Sequence, residues 1–473
     1  MIPLTDTRRY ASPEMVSVLS HDSMLACQRT IWMEVMKAQA THSPELISAE
    51  DVEAHETIHE RLLAGLKARM QGQSNREEWL DATFYGDYLR KIEDTEQRTR
   101  HDLKAHLEVF DALAGSRGKL HLGLTSSDVT ENAVHGIMFT AFDLFRSRER
   151  AILSSLDTWI DRTFEIVVPG RTHNVPAQPI LLASRFARCV SQMLRGNTIN
   201  FRTRGFMGAV GNAADLTEIF GVDTIRAQFE AGDQIDTWVT GQTSPRYQDL
   251  ELIQYLDSST APIADLCVTL RLMAGNDLCW EGQTPGQVGS SAMPHKRNMR
   301  YAERIHGLRA VLKGYRAMID NLGPTWNEGD VSDSVTRRVA LPGAMLAADA
   351  IMRNFQYLLS VLQIDEQAHK VERVAYQMPM ATGRILAQLV KLGIPRERGH
   401  EVLREAVEKH GADRFGLAAS VSQQFPALSQ DEILQIIRED RQVGLARDQI
   451  ERVRYELAMA GAVGIPWDVG QLL

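Results

Sequence analysis

Three polar stretches interrupt an otherwise apolar, helix-patterned chain. They are His121-Leu-Gly-Leu-Thr-Ser-Ser-Asp128, Gly170-Arg-Thr-His-Asn-Val-Pro-Ala-Gln178 and Pro285-Gly-Gln-Val-Gly-Ser-Ser-Ala-Met-Pro-His-Lys-Arg-Asn298. Histidine moves protons near neutral pH, hydroxyls and amides orient oxygen atoms, and lysine supplies positive charge. In the third stretch Gly286 and Gly289 permit close backbone approach to a ligand. Ser290 and Ser291 offer hydroxyls there, His295 and Lys296 charge, and Asn298 an amide. A loop so rich in glycine can close over a site as a lid. Either of the first two stretches, taken alone, could be a helix connection with capping residues.

Two other patterns offer rival chemistry. His55-Glu-Thr-Ile-His59 puts two histidines on one helix face, with Glu78 placed to be a third zinc ligand. That reading would make the chain a zinc peptidase. The segment Ala49 to Arg69, however, reads as a charged surface helix with no strand beside it, so a solvated face and no metal are expected. Gly205, Gly208 and Gly211 lack the spacing and the preceding strand of a dinucleotide fingerprint, so no nucleotide cofactor is expected. Cys27, Cys189, Cys267 and Cys279 form no C-x-x-C pair and read as free thiols of a reducing cytoplasm.

The elements that must hold the polar stretches are helices. Val134, Met138, Ala141, Phe145, Ile152, Leu156 and Trp159 form an apolar stripe within Ser126 to Ile160, with Ser127 or Asp128 available to cap its start. A helix of about 35 residues is roughly 50 Å long at 1.5 Å per residue. Leu252, Leu256, Ser259, Ile263, Leu266, Leu270 and Met273 make a second stripe, and Pro262 inside it predicts a bend or a lost hydrogen bond. Helical patterns also run through Leu181 to Ile199, Arg300 to Leu322 and Ala340 to Leu362, whereas strand-like alternation is scarce. The chain therefore reads as all-α, with a central bundle of very long helices whose several apolar faces favour oligomerisation. Shorter helices flank it, broken at Pro44, Gln71–Asn75 and Gly115–Gly118 on one side and at Gly393–Pro395, Gly411 and Pro426 on the other. The expected domains are an N-terminal helical domain over 1–124, the bundle over 125–365 and a C-terminal helical domain over 366–473.

The 473 residues carry 52 Lys and Arg against 61 Asp and Glu, a net charge of −9. That balance argues against a general nucleic-acid binder but leaves room for a local basic pocket. Met1 to Tyr10 lacks the apolar core of a signal peptide, and no apolar run of about 18 residues occurs, so no membrane partner is expected. A cytoplasmic protein acting on a small molecule is the expectation.

The segment Gly289 to Asn298 closely resembles the signature loop of the fumarase/aspartase superfamily, and the other two stretches match its other two regions in order. Within the superfamily the chain resembles the adenylosuccinate lyase family. The residues that carry this are Arg9-Tyr-Ala-Ser-Pro-Glu-Met15, Arg100-His-Asp102, Leu124-Thr-Ser-Ser-Asp-Val129 and Trp326-Asn-Glu-Gly-Asp-Val-Ser332. The resemblance runs by motif from Arg9 to about Pro342, and beyond by layout. It implies a three-domain fumarase/aspartase-like fold, a homotetramer with shared active sites, and β-elimination of fumarate from a succinyl-purine nucleotide.

By resemblance, Ser291 is the base, as an activated alkoxide, and His173 is the acid that protonates the departing nitrogen. Lys296 and Asn298 would hold the reacting carboxylate, Thr125 and Ser126 the succinyl group, and His121 would support charge there. Arg9, Tyr10, Ser334 and Arg338 match phosphate-binding positions, and Arg100, His101, Asp102 and Gln242 match further substrate contacts. Three positions depart from the family pattern. Ile180-Leu-Leu-Ala-Ser184 replaces a Thr-Thr-x-Gly-Lys-like run, and Met299 stands where many members have proline. Gly329 stands where some have arginine, with Arg337, Arg246 and Arg304 as candidate substitutes. The first departure raises an alternative, a lyase of another substituted succinate or a carboxymuconate-type cycloisomerase. The phosphate-binding set argues against it. A noncatalytic helical scaffold would leave the Ser290–Asn298 loop without a use.

Overall fold

The structure, a computed structural model, describes residues 7–73, 75–195, 199, 204–231, 239–282, 293, 296–323, 326–439 and 441–461. Gly286, Gly289, Ser290, Ser291 and His295 lie outside the described residues. Helices dominate; the longest described run Ser126–Thr163, Ser332–Val361 and Tyr247–Ala274, and Arg300–Asp320 is a shorter fourth that, like them, divides between two units. Pro262 and Pro342 both lie inside helices that continue past them. The chain forms two compact units: 1–146, 198–257 and 311–349 make the first; 147–197, 258–310 and 350–473 make the second. Each of these four helices contributes residues to both units.

The first unit starts with helices Pro13–Val18, His21–His42, Ala49–Gln71, Arg76–Thr99 and Asp102–Leu113. Short polar residues cap most of them. The Ser48 hydroxyl and the Asp51 carboxylate satisfy each other's backbone N–H groups, and Asn75 accepts from Glu78 N–H. Their apolar faces bury Trp32, Met36, Leu62, Tyr85, Tyr88 and Phe110 in one core. His55 is part of it, which corrects the expected solvated face: its ring is fully buried. Its Nδ1 lies 2.8 Å from Asp51 O and its Nε2 3.0 Å from Asp111 Oδ1, so it crosslinks two helices. His59 is half-buried, and burial with the charges of Arg29 and Lys37 pushes its pKa down to about 4. Among the described residues no three His, Cys, Asp or Glu side chains group as a metal site.

The second unit contains two small antiparallel ribbons that helical periodicity does not anticipate. Val167–Thr172 pairs with Val175–Leu181, and Cys279–Glu281 with Leu362–Ile364. Pro169, Pro176 and Pro179 make the first ribbon look like a loop in the sequence. A two-stranded ribbon tolerates them because each strand has an open edge where no donor is needed. The helix expected over Leu181 to Ile199 is consequently Ala183–Leu194, since Leu181 belongs to the strand. Trp159 stacks on Phe186 at 5.6 Å, and its Nε1–H donates to Leu359 O at 3.0 Å. A separate core around Ile385, Leu389, Leu417, Val421 and Ile433 holds the C-terminal helices together.

The helix Ser332–Val361 starts eight positions before the apolar stripe at Ala340. The extra turns bury charge rather than hydrocarbon. Arg337 donates to Asp249 at 2.6 and 3.2 Å and to Glu131 at 2.9 and 3.0 Å, so an ion pair does the work of an apolar contact. Asp128 and Arg204 form a second such pair, both side chains fully buried. All four cysteines are free thiols, and burial raises their pKa values, Cys279 to about 12. No described helix is long and apolar enough to cross a membrane.

Burial lowers the pKa of His106 and His135, as it does for His59 and His121. The unfolded chain therefore takes up protons first as pH falls below about 6.5, and the folded state loses stability from there downward. The slope for each of His106 and His135 is at most about 1.4 kcal/mol per pH unit. Urea midpoints should be lower at pH 5.5 than at pH 7.5, and an equal or higher midpoint at the acid value would contradict this. Arg204→Met should cost about 3–5 kcal/mol because it strands the Asp128 carboxylate without its cation. Urea unfolding of that variant measures the loss, and a change below about 1 kcal/mol would show that the pair does not hold this region.

Candidate active site

The site residues of the first unit are built outward from Asp128. Thr125 N–H donates to Asp128 Oδ2 at 2.7 Å, and Asp128 N–H returns a bond to Thr125 O at 3.0 Å. Asp128, of the two capping candidates, thus closes the start of the long helix and shapes the turn that carries Thr125 and Ser126. Its Oδ1 accepts from Met207 and Gly208 N–H at 2.9 and 3.1 Å and pairs with Arg204. Arg204 also donates to Gly208 O at 2.6 Å and Gly241 O at 3.0 Å. Gly205, Gly208 and Gly211 all have positive φ, so the glycine triplet is a series of turns that wraps a buried ion pair.

This arrangement also locates Gln242, which follows Gly241 and donates its N–H to Glu328 O at 2.5 Å. A side chain on Gly329 would put a Cβ 3.0 Å from that of Gln242, so glycine there fits the close approach. The candidate substitutes for an arginine at that position are engaged elsewhere. Arg337 is buried between Glu131 and Asp249, Arg246 lies 3.2 Å from Glu131 and 3.4 Å from Asp333, and Arg304 donates to Asn354 at 3.0 Å.

His121 accepts a hydrogen bond at Nδ1 from Trp32 Nε1–H at 3.0 Å. An indole can only donate, so the neutral His121 ring carries its proton on Nε2. Burial holds its pKa down against the opposing pull of Asp128. His121 is therefore a neutral donor, which can bind a carboxylate without adding a charge.

A chain of polar contacts runs across the exposed face of this unit. Arg338 donates to Asp102 at 2.9 Å, Asp102 lies 3.5 Å from His101 Nδ1, and His101 Nε2 lies 3.5 Å from the Ser126 hydroxyl. His101 also accepts from Lys104 N–H, so it caps the helix Asp102–Leu113. Arg100 just before it is in the left-handed region with φ 55°, ending the helix Arg76–Thr99. Ser334 is four residues before Arg338 and shares its helix face, whereas Arg337 points to the core. Arg9 is exposed, its guanidinium 6.0 Å from the Tyr10 ring centroid. Ser12 N–H anchors that segment by donating to Asp349 Oδ2 at 2.7 Å.

His173, Lys296 and Asn298 belong to the second unit. His173 and Asn174 have φ of 52° and 61° and form the two-residue tip of the Val167–Leu181 hairpin. That is a type I′ turn, whose twist suits a tight antiparallel ribbon, and it leaves the His173 ring exposed. Arg171 Nη1 reaches back to Asn174 O at 3.0 Å and braces the tip. Lys296 is exposed and Asn298 half-buried on the run that enters the helix Arg300–Asp320. Glu281 accepts from Tyr301 and Ala302 N–H at 2.9 and 3.1 Å, which fixes the start of that helix from the neighbouring ribbon. Burial raises the Glu281 pKa, with those backbone bonds opposing. Ser291, the assigned base, is outside the described residues.

The linear motifs mark Asp128 as a cap and a family position, and they give no place to Arg204, Glu131 and Asp249. The available signal was a polar stripe: Asp128, Glu131, Asn132 and His135 occupy helical spacing and are all buried. Of these, Asp128 and Glu131 meet arginines, and only the fold decides that this polar face is buried.

The protein family described as Lyase matches residues 21–314. The chain is 27% identical over 471 residues to an adenylosuccinate lyase of Schizosaccharomyces pombe, covering 94% of this chain and 92% of that one. It is 28% identical to an adenylosuccinate lyase of Schistosoma mansoni, covering 86% and 83% of the two chains. The fold is similar to that of a fumarate lyase from Mesorhizobium sp. BNC1, with a TM-score of 0.72, 16% identity, and 96% and 99% of the chains covered. It is also similar to the 3-carboxy-cis,cis-muconate lactonizing enzyme of Pseudomonas putida, with a TM-score of 0.72, 18% identity, and 95% and 98% covered. The chain therefore belongs to the lyase family, the enzymes of the fumarase/aspartase superfamily.

Proposed function

We propose that this enzyme cleaves adenylosuccinate to AMP and fumarate, and likewise SAICAR to AICAR and fumarate, in purine nucleotide biosynthesis. The observation that carries this reading is the contact chain Arg338–Asp102–His101–Ser126. It puts an exposed arginine suited to phosphate oxygens on one polar face with a serine suited to the succinyl group. A small dicarboxylic acid has no phosphate to engage that arginine.

In this reading the Ser291 alkoxide removes a proton from the carbon next to a succinyl carboxylate. The electron pair spreads into that carboxylate, whose doubly negative form needs donors and cations around it. Lys296 and Asn298 hold that group, while Thr125, Ser126 and neutral His121 bind through hydrogen bonds. The C–N bond then breaks, His173 gives its proton to the departing purine nitrogen, and fumarate is left. Arg9, Tyr10, Ser334 and Arg338 bind the phosphate, and Arg100, His101, Asp102 and Gln242 complete the nucleotide contacts. In this reading Ser291, Lys296, Asn298 and His173 act with the nucleotide set in a cytoplasmic homotetramer with shared sites, without metal or cofactor.

Fumarate release from adenylosuccinate tests the reading. Ser291→Ala and His173→Gln should each slow release by about 100-fold or more. Arg338→Gln should raise KM by about tenfold, the effect of one lost charge-assisted contact. No release from folded wild-type protein would overturn the purine assignment. Release of fumarate from a phosphate-free substituted succinate, unaffected by Arg338→Gln, would instead favour the alternative raised by Ile180–Ser184.

A further inference from the structure

We propose that a cleft within the second unit, lined by none of the residues assigned to the elimination, binds a compact, multiply charged phosphate-like anion. The cleft has a volume of about 160 Å³, several times what one water needs. Its polar lining is Arg171, Asn174, Arg185, Arg188, Thr269 and Asn276, and the rest of its wall is apolar. None of these is among the substrate or catalytic assignments, and His173 does not line it.

Three guanidiniums meet here. Arg185 and Arg188 are three positions apart on the helix Ala183–Leu194 and so share a face. Arg171 faces the same space from the hairpin. Glu372 holds Arg171 at 2.6 Å, and this is the carboxylate of the cluster. Arg185 makes a long contact to Pro169 O at 3.5 Å. Among the described residues no carboxylate pairs with Arg185 or Arg188. Burial lowers the pKa of Arg185, and the charges of Arg171 and Arg188 push the same way, with Glu372 opposing. Such a cluster is costly when empty of counter-charge and matches the oxygen pattern of a phosphate.

One feature of the cleft would oppose an anion, the C-terminal end of the helix Tyr247–Ala274, whose carbonyls carry partial negative charge. Those carbonyls are already occupied. Leu278 and Asp277 N–H donate to Met273 O and Ala274 O, each at 3.1 Å, and Asn276 Nδ2 donates to Leu272 O at 2.8 Å. Asp277 takes φ 56° to close this Schellman-type end. Those bonds offset part of the carbonyl charge, and the three guanidiniums of the cleft face one paired carboxylate, Glu372.

The probe is inorganic pyrophosphate, titrated into the full-length protein at constant ionic strength and followed by thermal shift and calorimetry. Wild type and Arg338→Gln should both bind it saturably, with equal affinity. Arg188→Gln, an exposed position that should not disturb folding, should weaken binding about tenfold or more, and Arg188→Lys should recover part of it. An absence of saturable binding, or equal binding by Arg188→Gln, would overturn the proposal. Loss of binding in Arg338→Gln with retention in Arg188→Gln would overturn it as well, by putting the anion at the substrate's phosphate position. Neither outcome depends on which succinyl compound the enzyme cleaves.

Discussion

The first unit depends on one buried carboxylate. Asp128 gives one oxygen to the turn that begins the longest helix and the other to Arg204 and two backbone N–H groups. A carboxylate out of water is tolerable only when its lone pairs are engaged, and here the engagement ties the 125–128 turn to the 204–208 segment. Thr125 and Ser126, the 205–211 turns and the approach to Gln242 all take their positions from it. The turn that carries Thr125 and Ser126 is therefore shaped by the same carboxylate that closes the buried ion pair.

The same economy recurs among the three longest helices. Glu131, Asp249 and Arg337 bring three different helices together through hydrogen-bonded charge where leucine or valine would otherwise stand. Hydrocarbon packing is forgiving about rotation of one helix against another, whereas a bidentate arginine is not. The position next to the buried Arg337 is the exposed Arg338, about 100° further round the helix. A helix whose rotation is set by a buried arginine presents its outward arginine in a defined direction. In the second unit a tight hairpin does the corresponding work, since a two-residue turn with two positive φ values leaves His173 little freedom of position.

Buried histidines add a cost that the charge pairs do not. His106 and His135 are held neutral by burial, so the protonated chain prefers to be unfolded. His55 shows how far such a ring can mislead a reader of sequence. Its H-E-x-x-H spacing matches a zinc site, yet both ring nitrogens are within hydrogen-bond distance of Asp51 and Asp111 and the ring is inside the core. Spacing says which residues share a helix face. It does not say whether that face meets solvent, a metal or another helix.

What the sequence determined by itself was the helical character of the chain, the course of the long helices and the three polar stretches. Apolar stripes of helical period have one way to be buried, and motif residues are contiguous, so both are written locally. The kinship of the chain with the lyases was legible for the same reason, through the run from Gly289 to Asn298. Tertiary structure decided the rest. It turned a proline-rich stretch into a hairpin, moved the start of the last long helix back to Ser332, and joined Arg338 to Asp102 across 236 positions. It also gathered Arg171, Arg185 and Arg188 around one cleft. These outcomes rest on partners far apart in the chain, and the energy of a buried charge or a tight turn depends on what surrounds it. Residue type and spacing do not contain that information.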